Sequence, residues 1–383
     1  MTTQPHTILN HPARDCFTPF AMTQMKISVK RAFIALLWLI LLVTSQLAMA
    51  TQSSAVALMY HHFGDDRYPS TNIRIEQFEQ HLEFLETNNF QVLALDIVLN
   101  ALQSNQALPD KTVVITMDDA YLSVYQEAYP RLKQRNWPFT VFVSTDYIDK
   151  RFSNYMSWEQ MREMQQHGAS FGNHTRSHDH LIKRNNNESE PVWQQRIRDD
   201  LNQAQKRLHD ELNNVIQVVA YPYGEYDLAL ARIVESLNLI GMGQHSGAMG
   251  PTSDFRFLPR FPMNESYGDL EGFKSKVMSL VMPLMKTPEI DPVTTISTPL
   301  LRVELSHQHP PLKQLNCYAS GQGKIKVQWL DEHTFTTQTN NALPVGRSRY
   351  NCTAPSRQSG RYYWFSQPWI IVNDSDIKNS LTN

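Results

Sequence analysis

Three histidines stand close together in the stretch "GNHTRSHDHL", which runs from residue 172 to residue 181. His174 and His178 are four residues apart, so they would share one face if the stretch formed a helical turn. Two imidazoles placed in this way can converge on one cation, and the spacing recurs in zinc enzymes. Because a histidine pair alone is weak evidence, a metal site needs a third ligand from another part of the chain.

A pair of carboxylates, Asp118 and Asp119, follows the apolar run "TVVITM". Two carboxylates at the end of a buried strand are costly unless a positive charge lies nearby. One of them could cap the following helix, but a cap hardly explains both. Successive strand side chains point in opposite directions, so one carboxylate could face a metal and the other a substrate.

A third strand-like run, "IQVVAYPYG", ends in a turn that contains Pro222 and Tyr223. The proline restricts the backbone, and the Tyr223 N–H could point into a site as a donor to an oxyanion. Taken alone, the segment is an ordinary turn signal.

The elements that must position these residues alternate regularly between residues 54 and 270. Strands are predicted at "AVALMYHHF", "TVVITM", "FTVFVST", "ASFGNH" and "IQVVAYPYG", with amphipathic helices such as "SWEQMREMQQHG" between them. This alternation predicts parallel strands, either in a barrel or in an open doubly wound sheet. In α/β barrels the active site assembles at the carboxyl ends of the strands, where these polar residues stand.

The N-terminal region has the pattern of an export signal. Residues 25–50 contain a basic start, the apolar run "AFIALLWLILLV" and the exit "AMA", so we expect cleavage after Ala50 and a periplasmic or secreted protein. An uncleaved anchor is the alternative, although the run is short for a membrane span. Residues 1–24 are interpreted as a gene-model extension before a start at Met25. The formal net charge of -2 argues against nucleic acid or an anionic membrane as the main partner, and we expect a monomer.

The C-terminal region changes character. Residues 286–299 are rich in proline and threonine and are predicted to be a linker between a domain at 54–285 and a small sandwich-like β domain at 300–375. In an exported chain Cys317 and Cys352 most simply form a disulfide, the alternative being two buried thiols. The aromatic segment "RYYWFSQPWII" could stack on sugars, but a β core needs the same residues and is the preferred interpretation.

Three ordered motifs, "TMDDA", "HTRSH" and "YPYG", resemble the first three motifs of the polysaccharide deacetylases, carbohydrate esterase family 4, with its NodB-type homology domain. The flanking "ALMYHHF", "FTVFVST" and "SWEQMREMQQHGASFGNHTRSH" also match, so the resemblance covers about residues 54–270. Features such as "LMYHHF" are similar to the poly-N-acetylglucosamine deacetylase-like branch.

The resemblance implies an α/β fold with a distorted (β/α) barrel and one divalent metal ion. Carried over by position, Asp119, His174 and His178 would be the metal ligands and Asp118 the general base. The metal would polarise the amide carbonyl, and the Tyr223 N–H would stabilise the oxyanion. Zinc is the first expectation, with cobalt or nickel as alternatives, because this ligand set suits several divalent ions.

The chain departs from the family pattern at two positions. Ala120 stands where glycine is usual, so the turn must avoid positive φ or carry strain. Ala220 stands where an arginine often orients the base, and Arg260, in "LPRFPM", is a candidate to replace it in space.

The general acid has no secure counterpart in the sequence. The family's late Leu-x-His motif is matched by "ELSH", but His307 lies beyond the predicted linker. His245, in "GQHSG", and His61 or His62, in "YHHF", are the alternatives, and we favour His61 slightly because it follows the first strand. His180 is expected to be solvated rather than a ligand.

The resemblance, together with the predicted export signal, implies metal-dependent hydrolysis of N-acetyl groups on an extracytoplasmic polysaccharide, with a poly-N-acetylglucosamine-type substrate preferred. Substrate contacts are predicted at Pro222, Tyr223, Thr175 and Arg260. Thr175 could instead orient a neighbouring ligand or start a helix. The alternatives are a catalytically weak glycan-binding protein, which would have no need of Asp118, and an amidase acting on a non-carbohydrate N-acyl group.

Overall fold

The computed structural model describes residues 1–2, 53–358 and 360–373. The predicted signal peptide at 25–50, and nearly all of the predicted extension at 1–24, lie outside these residues. Within the described part of the chain, no helix combines the length and the apolar character needed to cross a membrane. All elements named below belong to one compact unit, Gln52–Asn383.

Parallel strands and helices alternate through the first part of this unit. The strands are β1 Ala55–Tyr60, β2 His62–Phe63, β3 Asn72–Ile73, β4 Gln91–Val92, β5 Thr112–Met117, β6 Phe139–Val143, β7 Ala169–Asn173, β8 Val215–Ala220, β9 Ile240–Met242, β10 Ala248–Met249 and β11 Phe261–Pro262. The helices are α1 Ile75–Thr87, α2 Leu95–Gln103, α3 Tyr129–Gln134, α4 Thr145–Asp149, α5 Trp158–Gln165, α6 Glu190–Glu211, α7 Leu228–Ser236 and α8 Leu270–Val277.

Local sequence accounts for most of these boundaries. The helix α5 begins with a capping box, in which Ser157 Oγ accepts from the Gln160 N–H and Gln160 Oε1 accepts from the Ser157 N–H. The helix predicted at "SVYQEAYPRLKQRN" forms in two parts, a π-helix Val124–Ala128 and then α3. Pro130 lies at this junction, and its missing N–H breaks the regular ladder of hydrogen bonds.

The first sheet is a distorted barrel. Its nine strands follow the order β10-β1-β5-β6-β7-β8-β9, with β11 beside β1 and β4 beside β5, and every pair is parallel except β1–β10. Leu258 bridges to Met242 of β9, and Phe261 pairs with Leu58 of β1, so one short segment joins the two sides. Arg260 lies in that segment, which explains how its side chain reaches the barrel interior.

The second sheet occupies the C-terminal part of the chain. Its strands are β12 Leu280–Val281, β13 Val293–Thr294, β14 Leu301–Glu304, β15 Asn316–Ala319, β16 Gly323–Trp329, β17 Thr334–Gln338, β18 Gly346–Pro355 and β19 Tyr362–Ile371. The order is β12-β19-β18-β15-β16-β17-β14, with β13 also beside β19. Thus β13, which lies within the predicted linker, pairs with the last strand of this sheet.

The C-terminal sheet encloses its own apolar core, separate from the core clusters of the barrel. Cys317 and Cys352 stand directly opposite each other on β15 and β18 and form a disulfide across a separation of 35 residues. Trp369, from the aromatic segment of β19, is 2% exposed and packs in this core. The preferred sequence interpretation of that tryptophan as a core residue therefore agrees with its position.

Candidate active site

The carboxylate pair stands at the carboxyl end of β5, inside the barrel. The Asp118 N–H donates to the Tyr60 carbonyl, which keeps Asp118 in register with β1. Asp119 and Ala120 then adopt φ values of 70° and 58°, in the left-handed region. Each non-glycine residue in this conformation costs roughly 1–2 kcal/mol. The turn at Ala120 was expected either to avoid positive φ or to carry strain, and the structure shows the strained turn.

The histidine segment follows β7 but does not form the helical turn considered from its spacing. It is a loop in which Thr175 and His178 have φ values of 68° and 60°. Asn173 Oδ1 accepts from the Thr175 N–H, and Thr175 Oγ1 accepts from the His178 N–H, each at 2.8 Å. Thr175 is fully buried, so the substrate contact predicted for it is wrong. Its hydroxyl instead holds the backbone of His178.

These loops bring three side chains from two strand ends to one point. Asp119 Oδ1 lies 3.3 Å from His174 Nε2 and 3.1 Å from His178 Nε2. One candidate ligand atom from each of the three residues lies within 4.8 Å of the other two, and no other such group occurs among the described residues. Three converging side-chain ligands leave coordination positions for water and substrate, as expected of a catalytic metal site.

The donor set fits a cation. His174 Nδ1 lies 2.7 Å from the Ala220 carbonyl oxygen, which can only accept, so this nitrogen carries the proton. In the neutral imidazole, Nε2 then directs its lone pair at the Asp119 carboxylate. That contact is repulsive unless a metal ion or a second proton lies between them.

The charge balance of the cluster supports the same conclusion. Burial opposes ionisation of both Asp119 and His174, but their mutual hydrogen bond favours the charged forms. The pKa of Asp119 falls well below its usual value, with a further contribution from the hydrogen bond of His178, and the pKa of His174 is raised. A buried anion that needs a positive partner is a suitable ligand for a divalent ion.

Asp118 is held by Arg260. The guanidinium donates from Nη1 to Asp118 Oδ1 at 2.6 Å and from Nη2 to Oδ2 at 2.9 Å, and both side chains are 0% exposed. A third donor, Arg260 Nε, binds the Gly243 carbonyl at 2.9 Å. Burial raises the pKa of Asp118, but Arg260 and nearby histidines lower it below its usual value.

The buried pair changes two expectations from the sequence. Arg260 cannot contact a substrate, because its side chain is fully enclosed, so its predicted role in substrate binding is wrong. Its guanidinium instead lies beside Asp118, the predicted base, as expected if Arg260 replaces the arginine that the family often has where this chain has Ala220. Asp118 does not face the open cleft either, and its Oδ2 approaches His61 Nε2 at 3.9 Å.

Two of the histidines considered as general acids, His61 and His245, differ in their surroundings. His61 lines the cleft, and burial lowers its pKa while Asp118 and Asp119 oppose that shift. Burial, followed by the charges of Arg349 and Arg260, lowers the pKa of His245 to about 3. His245 is therefore neutral at pH 7 and has no imidazolium proton to donate.

The turn of the third motif reaches the same cleft. Pro222 is buried and does not line the cleft, so the structure gives no support to a direct substrate contact there. Tyr223 lines the cleft with φ 60°, and its ring stacks on His180 at 3.9 Å. His180 is not idle in solvent, because its Nδ1 lies 2.7 Å from Glu225 Oε2.

An open cleft of about 620 Å³ lies over the cluster. Of the predicted site residues, it is lined by His61, Asp119, His178, Tyr223 and His245. It also has an aromatic wall that the sequence analysis did not identify, formed by Tyr121, Tyr147, Tyr155 and Tyr267.

Another part of the cleft lining comes from the C-terminal sheet and includes Arg347 and Arg349 of β18. These two residues were also missed, because β18 was not predicted as a strand. The alternation of buried Tyr350, Cys352 and Ala354 with more exposed neighbours would have indicated it.

Comparisons with known proteins agree with the fold. Residues 105–241 match the family model described as polysaccharide deacetylase. The Bacillus subtilis (strain 168) protein YxkH, provisionally named a polysaccharide deacetylase, is 31% identical over 170 residues, which are 44% of this chain and 57% of that protein. A poly-beta-1,6-N-acetyl-D-glucosamine N-deacetylase of Staphylococcus aureus (strain MRSA252) is 25% identical over 233 residues, 56% of this chain and 80% of that protein.

A solved structure gives the same result for the fold. The Streptococcus pyogenes deacetylase PplD in complex with acetate has a TM-score of 0.53 and 24% identity, covering 59% of this chain and 99% of the other. The predicted distorted barrel is therefore confirmed, and the family match confirms the resemblance first seen in three short motifs. The alignment with YxkH spans less than two thirds of that protein's length.

Proposed function

Because this chain contains a domain of the polysaccharide deacetylase family, we propose that it hydrolyses N-acetyl groups of an exported polysaccharide with the help of a divalent metal ion. The observation that carries the proposal is the convergence of Asp119, His174 and His178 beneath an open cleft. The buried carboxylate of Asp118 immediately precedes Asp119 in the chain. The aromatic wall suits a glycan, since tyrosine rings pack against the apolar faces of sugars and keep a polar edge.

In the reaction that we propose, the amide C–N bond breaks, water supplies the new C–O bond of acetate, and the sugar nitrogen leaves as an amine. A bound metal would supply Lewis acidity at the amide carbonyl and make water easier to deprotonate. The residues of the chain supply the rest. His174 and His178 are oriented through the Ala220 carbonyl and Thr175, which pre-organises the ligand cluster.

Asp118 is proposed as the base of the reaction. Because its carboxylate is enclosed, the proton of the attacking water is proposed to reach it through His61, which borders the cleft. Arg260 keeps its carboxylate ionised and in one orientation, so that a proton can be accepted at neutral pH. Oδ2 is the oxygen nearer to His61, and His61 borders the cleft. His61 is accordingly proposed to contact the substrate and to return to the leaving amine the proton that was removed from the attacking water and held by Asp118.

The finer assignments follow the same reasoning. The Tyr223 N–H is proposed as the oxyanion donor, and loss of one such donor typically costs about 10² to 10³ in rate. Zinc is the preferred metal and cobalt or nickel the alternatives. A poly-N-acetylglucosamine-type glycan is the preferred substrate, supported by the similarity to the Staphylococcus aureus enzyme. Export through a cleaved signal peptide is proposed from residues 25–50.

The test is acetate release by the purified protein from N-acetylglucosamine oligomers, with zinc, cobalt or nickel and with a chelator. We expect Asp118→Asn to abolish release while circular dichroism and metal content stay close to those of the original protein. Asp199→Asn, an exposed change of the same chemistry on α6, is the matched control and should retain full activity. Full acetate release by the Asp118 variant would refute the base assignment. Binding of oligomers without any release would instead favour the glycan-binding alternative.

A further inference from the structure

The C-terminal sheet and the turn after β15 supply one wall of the candidate active-site cleft. The residues on this wall include Ser320, Arg347, Ser348, Arg349, Pro368 and Trp369. A cleft of about 620 Å³ is within the range that holds ligands much larger than one acetamide group. There is consequently room for the sugar next to the one that is being deacetylated.

The two arginines of this wall differ in their partners. Arg347 Nη1 donates to the Tyr223 carbonyl at 2.5 Å, and its Nε lies 3.9 Å from Glu225 Oε1. The Arg349 guanidinium has no hydrogen bond or ion pair within the described part of the chain, while its backbone bonds to Ser320. An arginine that lines a cleft without a protein partner is available to a ligand.

The cleft carries an excess of positive charge. Asp119 is the one carboxylate among the described residues that line it, and a divalent ion would more than neutralise this charge. The positive charges of Arg347 and Arg349 then remain in the lining of the cleft. The charge of Arg349 extends further, since it contributes, after burial, to the lowered pKa values of His245 and Lys276.

The same region contains buried polar atoms that are not satisfied. Among the residues that the structure describes, His245 Nδ1, Ser348 Oγ and Trp369 Nε1 find no hydrogen-bond partner, and all three residues line the cleft. Together with Arg349, this set is dominated by donors, because tryptophan and arginine can only donate. The partly exposed guanidinium of Arg349 therefore fits a ligand group that accepts hydrogen bonds and carries no positive charge.

On the basis of the proposed deacetylase function, we propose that Arg349 makes this wall a selection site for the neighbouring sugar. An N-acetyl group there offers its carbonyl oxygen to the guanidinium. A sugar that has already lost its acetyl group presents an ammonium, which brings more donors and is repelled by Arg349 and Arg347. The enzyme should therefore avoid deacetylating next to an existing free amine, and its product should carry spaced rather than adjacent amines.

The experiment compares two N-acetylglucosamine oligomers of the same length, one fully acetylated and one with a free amine beside a defined target sugar. The readout is kcat/KM for acetate release at the target, with product positions located by mass spectrometry. For the original protein we expect kcat/KM to be about five- to tenfold higher for the acetylated oligomer. This is the effect expected from the repulsion between two like charges that solvent partly screens. Arg349→Gln should bring the ratio close to one and produce adjacent amines.

The controls separate this proposal from the proposed function. Arg302→Gln removes the same charge from an exposed position on β14, outside the cleft, and should keep the original ratio. Added salt should reduce the ratio in the original protein, which tests the electrostatic origin even without a folded Arg349 variant. A ratio near one in the original protein, or one unaffected by salt and by Arg349→Gln, would overturn the selection proposal alone. Absence of acetate release from both oligomers would overturn the proposed function and this inference with it.

Discussion

Replacing Arg260 by methionine tests whether the buried ion pair with Asp118 maintains both the fold and the base. The two side chains are 0% exposed and share two hydrogen bonds of 2.6 and 2.9 Å, so solvent cannot compensate for the loss. Removing one partner of such a pair typically costs about 3–5 kcal/mol, because the other charge stays buried and unpaired. We therefore expect the free energy of unfolding to fall by about 4 kcal/mol and Tm to fall by about 10 °C.

The pH dependence of this loss has a definite sign. In the original protein the pKa of Asp118 is lower in the folded state than in the unfolded state, since Arg260 outweighs burial. That group therefore contributes stability above its unfolded pKa of about 3.9, and the contribution is lost as the pH falls through the folded value. Without Arg260, burial raises the folded pKa. The stability gap between the two proteins should consequently narrow as the pH falls from 7 towards 4.

The assay is denaturant unfolding followed by circular dichroism at pH 7, 5.5 and 4, with acetate release measured at each pH. The double variant Asp118→Asn/Arg260→Met should recover much of the stability, because no unpaired charge remains, but should stay inactive. Arg302→Met, at an exposed position, should change the free energy of unfolding by no more than about 0.5 kcal/mol. An Arg260 variant as stable as the original protein at pH 7 would show that the ion pair does not stabilise the fold.

Three further outcomes are expected. A chelator should lower acetate release to background and should also lower Tm, because a metal that binds the folded state stabilises it. Readdition of zinc should restore both, whereas a rate of acetate release that resists the chelator would argue against a metal-dependent reaction. Replacing Cys317 and Cys352 by serine should lower the free energy of unfolding by about 4 kcal/mol, the chain-entropy value for a loop of 35 residues, and an unchanged denaturation midpoint would contradict this. His61→Gln should reduce kcat by about 10² or more if His61 protonates the leaving amine. His245→Gln should reduce kcat by less than about tenfold, because His245 is already neutral at pH 7, and the reverse ranking of the two variants would exchange their roles.

Much of the fold could be predicted because local patterns carry it. The apolar run of β5 and the capping box at Ser157 specify a buried strand and a helix start within a few residues. The alternation of strands and helices predicted parallel pairing and placed the polar motifs at one end of the barrel. The four-residue spacing of His174 and His178 suggested a helical turn, and this prediction was wrong. The two imidazoles instead converge because Thr175 and His178 adopt left-handed backbone conformations in a loop.

Other features of the site depend on residues far apart in the sequence. Arg260 meets Asp118 across 142 positions, and nothing near either residue indicates the pairing except the cost of a buried carboxylate without a counter-charge. Arg347 reaches Tyr223 across 124 positions, from a strand that the sequence analysis did not identify. Contacts of this kind arise from how the two sheets pack, and single-sequence periodicity contains no information on that packing.

The sequence by itself determined which chemical groups are available and at which strand ends they stand, because strand and helix periodicity and three short motifs are local properties. Only the tertiary structure decided that one aspartate and two histidines meet, that the neighbouring aspartate is enclosed with an arginine, and that the C-terminal sheet forms part of the cleft. The physical reason is that packing brings together the side chains that set ligand geometry, charge pairing and burial. These side chains are so far apart along the sequence that their order in the chain does not determine the distance between them.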